Sequence, residues 1–143
     1  MTVRFRRASV LLAEDSPDDV EITRRALKRV QLGCELVVTR DGEEVLLRLL
    51  DPHEAPPDLL LLDINLPKVN GLQVLAEVRR QSSLAGLPVV MMSASAREED
   101  VKQSYQLGAN TYIQKPVVFD QFLASLEVFG RYWFEVARLP RPL

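Results

Sequence analysis

Five chemically capable residues stand directly after short apolar or β-rich runs. Glu14 and Asp15 follow Ala8 to Ala13. Asp63 follows Leu59 to Leu62, Ser93 follows Leu87 to Met92, and Lys115 follows Thr111 to Gln114. If these runs are strands of one sheet, three carboxylates, a hydroxyl and an ammonium meet at one edge. Adjacent carboxylates repel, and one of them takes up a proton unless a cation is present. Hard oxygen donors suit a divalent cation, and magnesium keeps several waters while taking one or two carboxylates and phosphate oxygens. A carboxylate can also attack phosphorus and form an aspartyl phosphate. A cation and a lysine would then hold the charge of the transferring phosphoryl oxygens, where positioning and electrostatics supply most of the catalysis.

The elements needed to bring these residues together are legible. Ser16-Pro17-Asp18-Asp19 is a helix start, with a Ser N-cap, Pro in the first turn and acids beside it. Ile22, Ala26 and Val30 continue that helix at fourfold spacing, and Gly33 breaks it. A second strand spans Leu36 to Thr39, a turn follows at Asp41-Gly42, and a second helix spans Glu43 to Leu50. The run Asp58 to Asp63 is apolar at four consecutive positions, the pattern of a strand covered on both faces. A third helix follows Gly71, a fourth spans Glu98 to Leu107 before Gly108, and a fifth is expected from about Val118 to Ala137. Alternation of five strands with five helices predicts an α/β fold, a flavodoxin-like doubly wound parallel sheet in a single domain. Ligands on such a sheet bind at the carboxyl ends of the strands.

Composition narrows the classes. The chain has 143 residues, against about 150 for one domain. It is 47% hydrophobic and 27% charged, too apolar for a disordered tail. A single cysteine, Cys34, excludes a disulfide framework or a multi-cysteine metal site. The net charge of -2 is wrong for a general polyanion binder, so no nucleic-acid partner is expected, and Arg4, Arg6 and Arg7 are better explained as a solvated arm. No apolar run is long enough to span a membrane, and no secretory leader follows the N-terminal arginines, so a cytoplasmic location is expected. The expected boundaries are an arm over 1–8, the domain over 9–137 and a tail over 138–143. His53, the only histidine, lies in the Pro-rich loop Asp51 to Pro57, away from the strand ends. Any phosphoryl group at the strand ends would therefore have to arrive from elsewhere.

Taken in order, these pieces resemble the receiver domain of two-component response regulators. The matching residues are Glu14-Asp15, Leu60-Leu61-Leu62-Asp63 with Leu66-Pro67 and Asn70-Gly71, Ser93-Ala94, and Lys115-Pro116. The likeness spans about Ser9 to Phe134. It implies Asp63 as phosphoacceptor, Glu14 and Asp15 as the acidic pocket, and Mg2+ held by Asp15, Asp63 and the backbone carbonyl of Asn65. It implies Ser93 and Lys115 as phosphoryl contacts, Ser93 and Tyr112 as switch residues, and a cis peptide before Pro116. Ser93 stands where Thr is commoner. Asn65 and Ser95 occupy positions that tune phosphoryl lifetime in the family. The implied function is a single-domain regulator with no enzymatic activity beyond its own phosphorylation and dephosphorylation. A receiver-fold adaptor independent of phosphorylation, or a phosphorelay intermediate, is the alternative. An aspartyl-nucleophile hydrolase would want a second acid two residues after Asp63, where Asn65 stands.

Eight of the nine aromatic residues lie from Tyr105 onward, more than one helix needs to cover a sheet. Surplus apolar area marks an interface. Phe119, Phe122, Tyr132, Trp133, Phe134 and Leu139 are the candidate dimer residues. The ending resembles that of receivers that partner phytochrome-type histidine kinases, which implies such a kinase as partner. It also implies a homodimer through helix four, strand five, helix five and the tail.

Overall fold

The computed structural model describes residues 7–30 and 33–140. Arg4 and Arg6 of the expected arm lie outside them, as does the tail after Pro140. Five strands and five α-helices alternate: β1 Ala8–Ala13, α1 Pro17–Lys28, β2 Cys34–Thr39, α2 Gly42–Leu50, β3 Leu59–Leu62, α3 Gly71–Arg80, β4 Val89–Ser93, α4 Glu98–Gln106, β5 Thr111–Gln114 and α5 Phe119–Arg131. A 3-10 turn, Ser82–Leu84, precedes β4, and a π-helical turn, Tyr132–Val136, follows α5. All strand pairs are parallel, in the order β2-β1-β3-β4-β5. The order reverses direction between β1 and β3, which opens a crevice at their carboxyl ends. Among the described residues, no helix is long and apolar enough to cross a membrane.

Period-2 alternation divides the central strands between two cores. Val10, Leu12, Leu59, Leu61, Val90 and Met92 face Val20, Ala26 and Leu27 of α1 and Phe122, Leu126 and Phe129 of α5. Leu11, Ala13, Leu60, Leu62, Val89 and Met91 face Val45 and Leu49 of α2 and Val74, Leu75 and Val78 of α3. All four β3 residues are buried, as the unbroken leucine run requires. Full burial of a side chain of this size stabilises by about 1.5–3 kcal/mol. The sheet is therefore a rigid base for the groups at its ends.

Helix starts follow local chemistry. The Ser16 hydroxyl accepts from the Asp19 amide at 3.3 Å, and Asp41 accepts from the Glu44 amide at 2.8 Å. Asn70 and Gln73 form a reciprocal capping box, both bonds at 3.0 Å, which fixes the entry to α3.

The last helix departs from the sequence expectation. It is not α-helical to Ala137: α5 ends at Arg131, and the Ala137 amide donates to the Tyr132 carbonyl at 2.6 Å, an i→i−5 bond. The wider turn carries Phe134, rather than Trp133, onto Phe129 in an edge-on contact with ring centres 6.2 Å apart. Phe122 within α5, Phe134 in this turn and Leu139 after it are core residues of this chain. That corrects their expected place on an outer surface. Phe119 and Tyr132 are exposed, and Trp133 is half-buried with its ring edge-on to Tyr132.

Candidate functional site

The crevice collects the acidic residues through backbone bonds that extend the sheet past its ends. The Glu14 amide donates to the Thr39 carbonyl at 3.0 Å, and the Asp63 amide to the Ala13 carbonyl at 3.1 Å. The Lys115 amide donates to the Ser93 carbonyl at 2.8 Å, which sets β5's last residue beside β4's. Glu14, Asp15 and Asp63 each offer a carboxylate oxygen within 4.8 Å of the others. Glu14 and Asp63 are buried; Asp15 is exposed at the mouth.

Lys115 reaches into this group from β5. Its Nζ donates to Asp63 Oδ2 at 2.9 Å, to Asp19 Oδ2 at 2.9 Å, and to Glu14 Oε1. Burial alone would lower the lysine's affinity for its proton, but the charges of Asp63 and Glu14 outweigh it and hold the ammonium well above its ordinary range. Burial pushes Glu14 up to about 7, with Asp63's charge adding to the rise and Lys115 opposing it. Three close carboxylates against one ammonium leave the crevice anionic. The donors are hard oxygens, so the set fits a divalent cation of the magnesium or manganese type.

The phosphoacceptor candidate is held from both sides. Asp63 Oδ1 accepts from the Asn65 amide at 3.1 Å, while Oδ2 faces Lys115. The chain then turns through Leu66 to Asn70 and comes back so closely that a Cβ on Gly71 would lie 2.1 Å from the Asp63 carbonyl oxygen. A Cβ on Gly42 would lie 1.8 Å from the Val69 carbonyl oxygen. Only glycine permits these two approaches. Next to Asp15 and the loop that follows Asp63 lies an open cleft of about 480 Å3, bordered by Asp15, Asn65, Pro67, Asn70, Arg97 and Asp100.

Ser93 is buried at the end of β4, and its hydroxyl accepts from the Ser95 amide at 3.2 Å. Tyr112 is half-buried on the α2/α3 side, and its hydroxyl donates to the Ser95 carbonyl at 2.8 Å. The structure therefore brings Glu14, Asp15, Asp63 and Lys115 together, and joins Ser93 and Tyr112 through Ser95. One expectation fails: the described residues contain no cis peptide bond, so Lys115–Pro116 is trans. The two isomers of an X–Pro bond differ by only about 0.5–1 kcal/mol. Proline by itself therefore did not select cis. Asp19 was expected only as a first-turn acid, yet it contacts Lys115. His53 is exposed, with its amide on Asp51, as expected of the loop.

Comparison with known proteins agrees with this geometry. The family profile of the response regulator receiver domain matches residues 10–127. Response regulator Rcp1 of Synechocystis sp. is 36% identical over 135 residues, covering 92% of each chain. The crystal structure of its Mn(2+)-bound form superposes with a TM-score of 0.91 at 33% identity, covering 94% of this chain and 99% of that one. The phosphorylated cyanobacterial phytochrome response regulator RcpA superposes with a TM-score of 0.91 at 34% identity, covering 95% and 100%. The bacteriophytochrome response regulator AtBRR is 41% identical, with a TM-score of 0.69 over 90% and 96% of the two chains. With its sheet order, its acidic crevice and a match running almost from end to end, the chain belongs to the response regulator receiver family.

Proposed function

We propose that Asp63 accepts a phosphoryl group from the phosphohistidine of a sensor histidine kinase. The carrying observation is the Lys115 ammonium bonded at 2.9 Å to Asp63 Oδ2, beside two more carboxylates at the open crevice. An Asp63 oxygen attacks phosphorus as the P–N bond to the kinase imidazole breaks; the bonding pair returns to the imidazole, which then takes a proton. Lys115 offers N–H donors to the phosphoryl oxygens, and the Asn65 amide keeps the carboxylate oriented. Asp15, Asp63 and the Asn65 carbonyl would hold Mg2+, which when bound neutralises charge on the phosphoryl oxygens. Return to the resting form is hydrolysis of the acyl phosphate by water. The new anion draws Ser93 inward and Tyr112 repositions, a shift between two states whose size is limited by the difference in interaction.

The kinase is of phytochrome type in this reading, supported by the likeness to RcpA and AtBRR, and kinase and regulator meet in the cytoplasm. The test is phosphotransfer from a panel of histidine kinases that includes a phytochrome-type kinase, with Asp63→Asn as control. Label on the wild type and none on Asp63→Asn is expected. Label retained on the variant refutes the assignment. No change of spectra or oligomeric state with acetyl phosphate would favour the phosphorylation-independent adaptor.

A homodimer through α4, β5, α5 and the following turn belongs to the same reading. Of ten exposed large apolar residues among those described, eight lie from Tyr105 onward, including Val117, Phe119, Val128, Tyr132 and Val136. Phe119→Ser with Tyr132→Ser should lower the sedimenting mass toward the monomer. An unchanged dimer mass would put the interface elsewhere.

A further inference from the structure

Lys115 has three N–H donors and no more. All three are occupied, by Glu14, Asp19 and Asp63. A phosphoryl group on Asp63 brings further strong acceptor oxygens into reach, so at least one existing bond must exchange for the ammonium to bind them. Glu14 is a poor candidate for release. It is fully buried, and its Oε1, which accepts from Lys115, would lose that donor where water cannot readily replace it. Asp19 is different, with a quarter of its side chain open to solvent, so water can replace the lysine there.

The local sequence explains why Asp19 is available. It is the third residue after the Ser16 N-cap, where an acid ordinarily turns back to the N-cap amide. Here that amide donates to Glu14 Oε2 at 3.2 Å. Glu14 thus binds Lys115 through one oxygen and the start of α1 through the other. The Asp19 carboxylate is left to reach the ammonium. Its backbone is fixed meanwhile, the amide on Ser16 Oγ and the carbonyl accepting from Thr23 Oγ1 at 2.8 Å.

We propose that Asp19 is a positioning residue that holds Lys115 toward α1 in the resting protein and competes with the phosphoryl group for its third donor. The inference rests on Asp63 being the phosphoacceptor. Asp19 sets how readily the phosphorylated form takes up its lysine contact, and it couples the first turn of α1 to the state of the site.

The test is calorimetric titration with beryllofluoride, a phosphoryl mimic, at saturating magnesium. Asp19→Asn should tighten binding about threefold, the size of effect expected of a partly exposed ion pair. Asp18→Asn, an exposed neighbour on the same turn, controls for lost negative charge and should leave binding unchanged. In a Lys115→Ala background, Asp19→Asn should give no gain, because the competitor's target is gone. A gain that persists in that background, equal effects at Asp18 and Asp19, or weaker binding by Asp19→Asn each overturns the proposal. Failure of the wild type to bind beryllofluoride, with Asp63→Asn indistinguishable from it, refutes the phosphoacceptor reading itself and the inference with it.

Discussion

Replacing Glu14 by Gln should remove a pH-dependent weakness from the metal-free fold. Glu14 is fully buried, and burial pushes its carboxyl from 4.5 up to about 7. The folded chain then holds this proton to higher pH than the unfolded chain does. The contribution is fully present below 4.5 and is lost as pH rises through about 7. A displacement of that size corresponds to about 3 kcal/mol at roughly 1.36 kcal/mol per pH unit. Solvent entering over exposed Asp15 screens part of it, leaving about 2 kcal/mol. Gln keeps the shape and cannot ionise. Measured against protonated Glu14, its effect on the Lys115 bond is constant across this range, because the ammonium stays charged and the ionisation of Glu14 is already counted in the shift. The slope rather than the offset is therefore diagnostic. Urea unfolding at intervals between about pH 5 and 8.5, with chelator present, should show the stability of Glu14→Gln relative to wild type rising by about 2 kcal/mol. Magnesium should reduce that rise, because a cation favours the ionised carboxylate. A flat difference, or a wild type that gains on the variant as pH rises, would refute the reasoning.

Further outcomes follow from contacts elsewhere. Gly71→Ala would put a Cβ 2.1 Å from the Asp63 carbonyl oxygen, so the loop must shift at a cost of about 1–3 kcal/mol; chemical denaturation should show that loss and phosphotransfer should slow, whereas Gly86→Ala, which meets nothing within 4 Å, should do neither. Phe134→Ala should cost about 3 kcal/mol through the cavity left beside Phe129. Tyr132→Ala, at an exposed position, should stay within about 1 kcal/mol in dilute monomer, and equal losses at the two positions would contradict the π-turn geometry. Asn70→Ala should cost about 1 kcal/mol through loss of the capping box, read as a lower thermal midpoint.

What the sequence disclosed follows the range of the interactions involved. Short β-rich runs and helix caps are local, so β3, β5 and the start of α1 could be placed from residue types alone, whereas α3 was placed only as following Gly71 although Asn70 caps its start. The sites at the strand ends also followed, because a parallel sheet fixes which ends face the crevice. The contact between Asp19 and Lys115 could not be found in that way. It depends on Glu14 occupying the Ser16 amide, a competition between two acids that spacing does not resolve. Ser16 followed by Asp19 was a visible signal, but residue type alone makes that acid a first-turn charge complementing the helix dipole. The end of α5 was misjudged for a different reason. A period of 3.6 places Trp133 above Phe129, and only the change to i→i−5 bonding puts Phe134 there. Of the six side chains assigned to one surface, Phe122, Phe134 and Leu139 instead close the core, Phe122 from within regular α5.

The loop after β4 shows how a small charge change could reach the outer face on the proposed reading. Ser95 is bonded to three elements at once. Its amide donates to Ser93 Oγ, its hydroxyl donates to Asp100 Oδ2 of α4 at 2.5 Å, and its carbonyl accepts from Tyr112 of β5. Tyr105 of α4 in turn accepts from the Tyr112 amide at 3.1 Å. If Ser93 turns its hydroxyl toward a phosphoryl oxygen, the Ser95 amide loses its acceptor, and the residue that ties α4 to β5 must resettle. The energy required is modest. Among α4 residues only Ser104 is buried, so this helix is held mainly by polar contacts of about 0.5–1.5 kcal/mol each rather than by an apolar stripe. The helices α1, α3 and α5 each bury several large side chains and would resist the same push. Displacement should therefore concentrate at α4 and β5, beside the exposed apolar residues that begin at Tyr105. Ser95→Ala, which keeps the amide and carbonyl bonds but cuts the tie to Asp100, should loosen amide exchange in α4 while leaving β5 protected; equal loosening of α1 would show that the polar tie is not what holds α4.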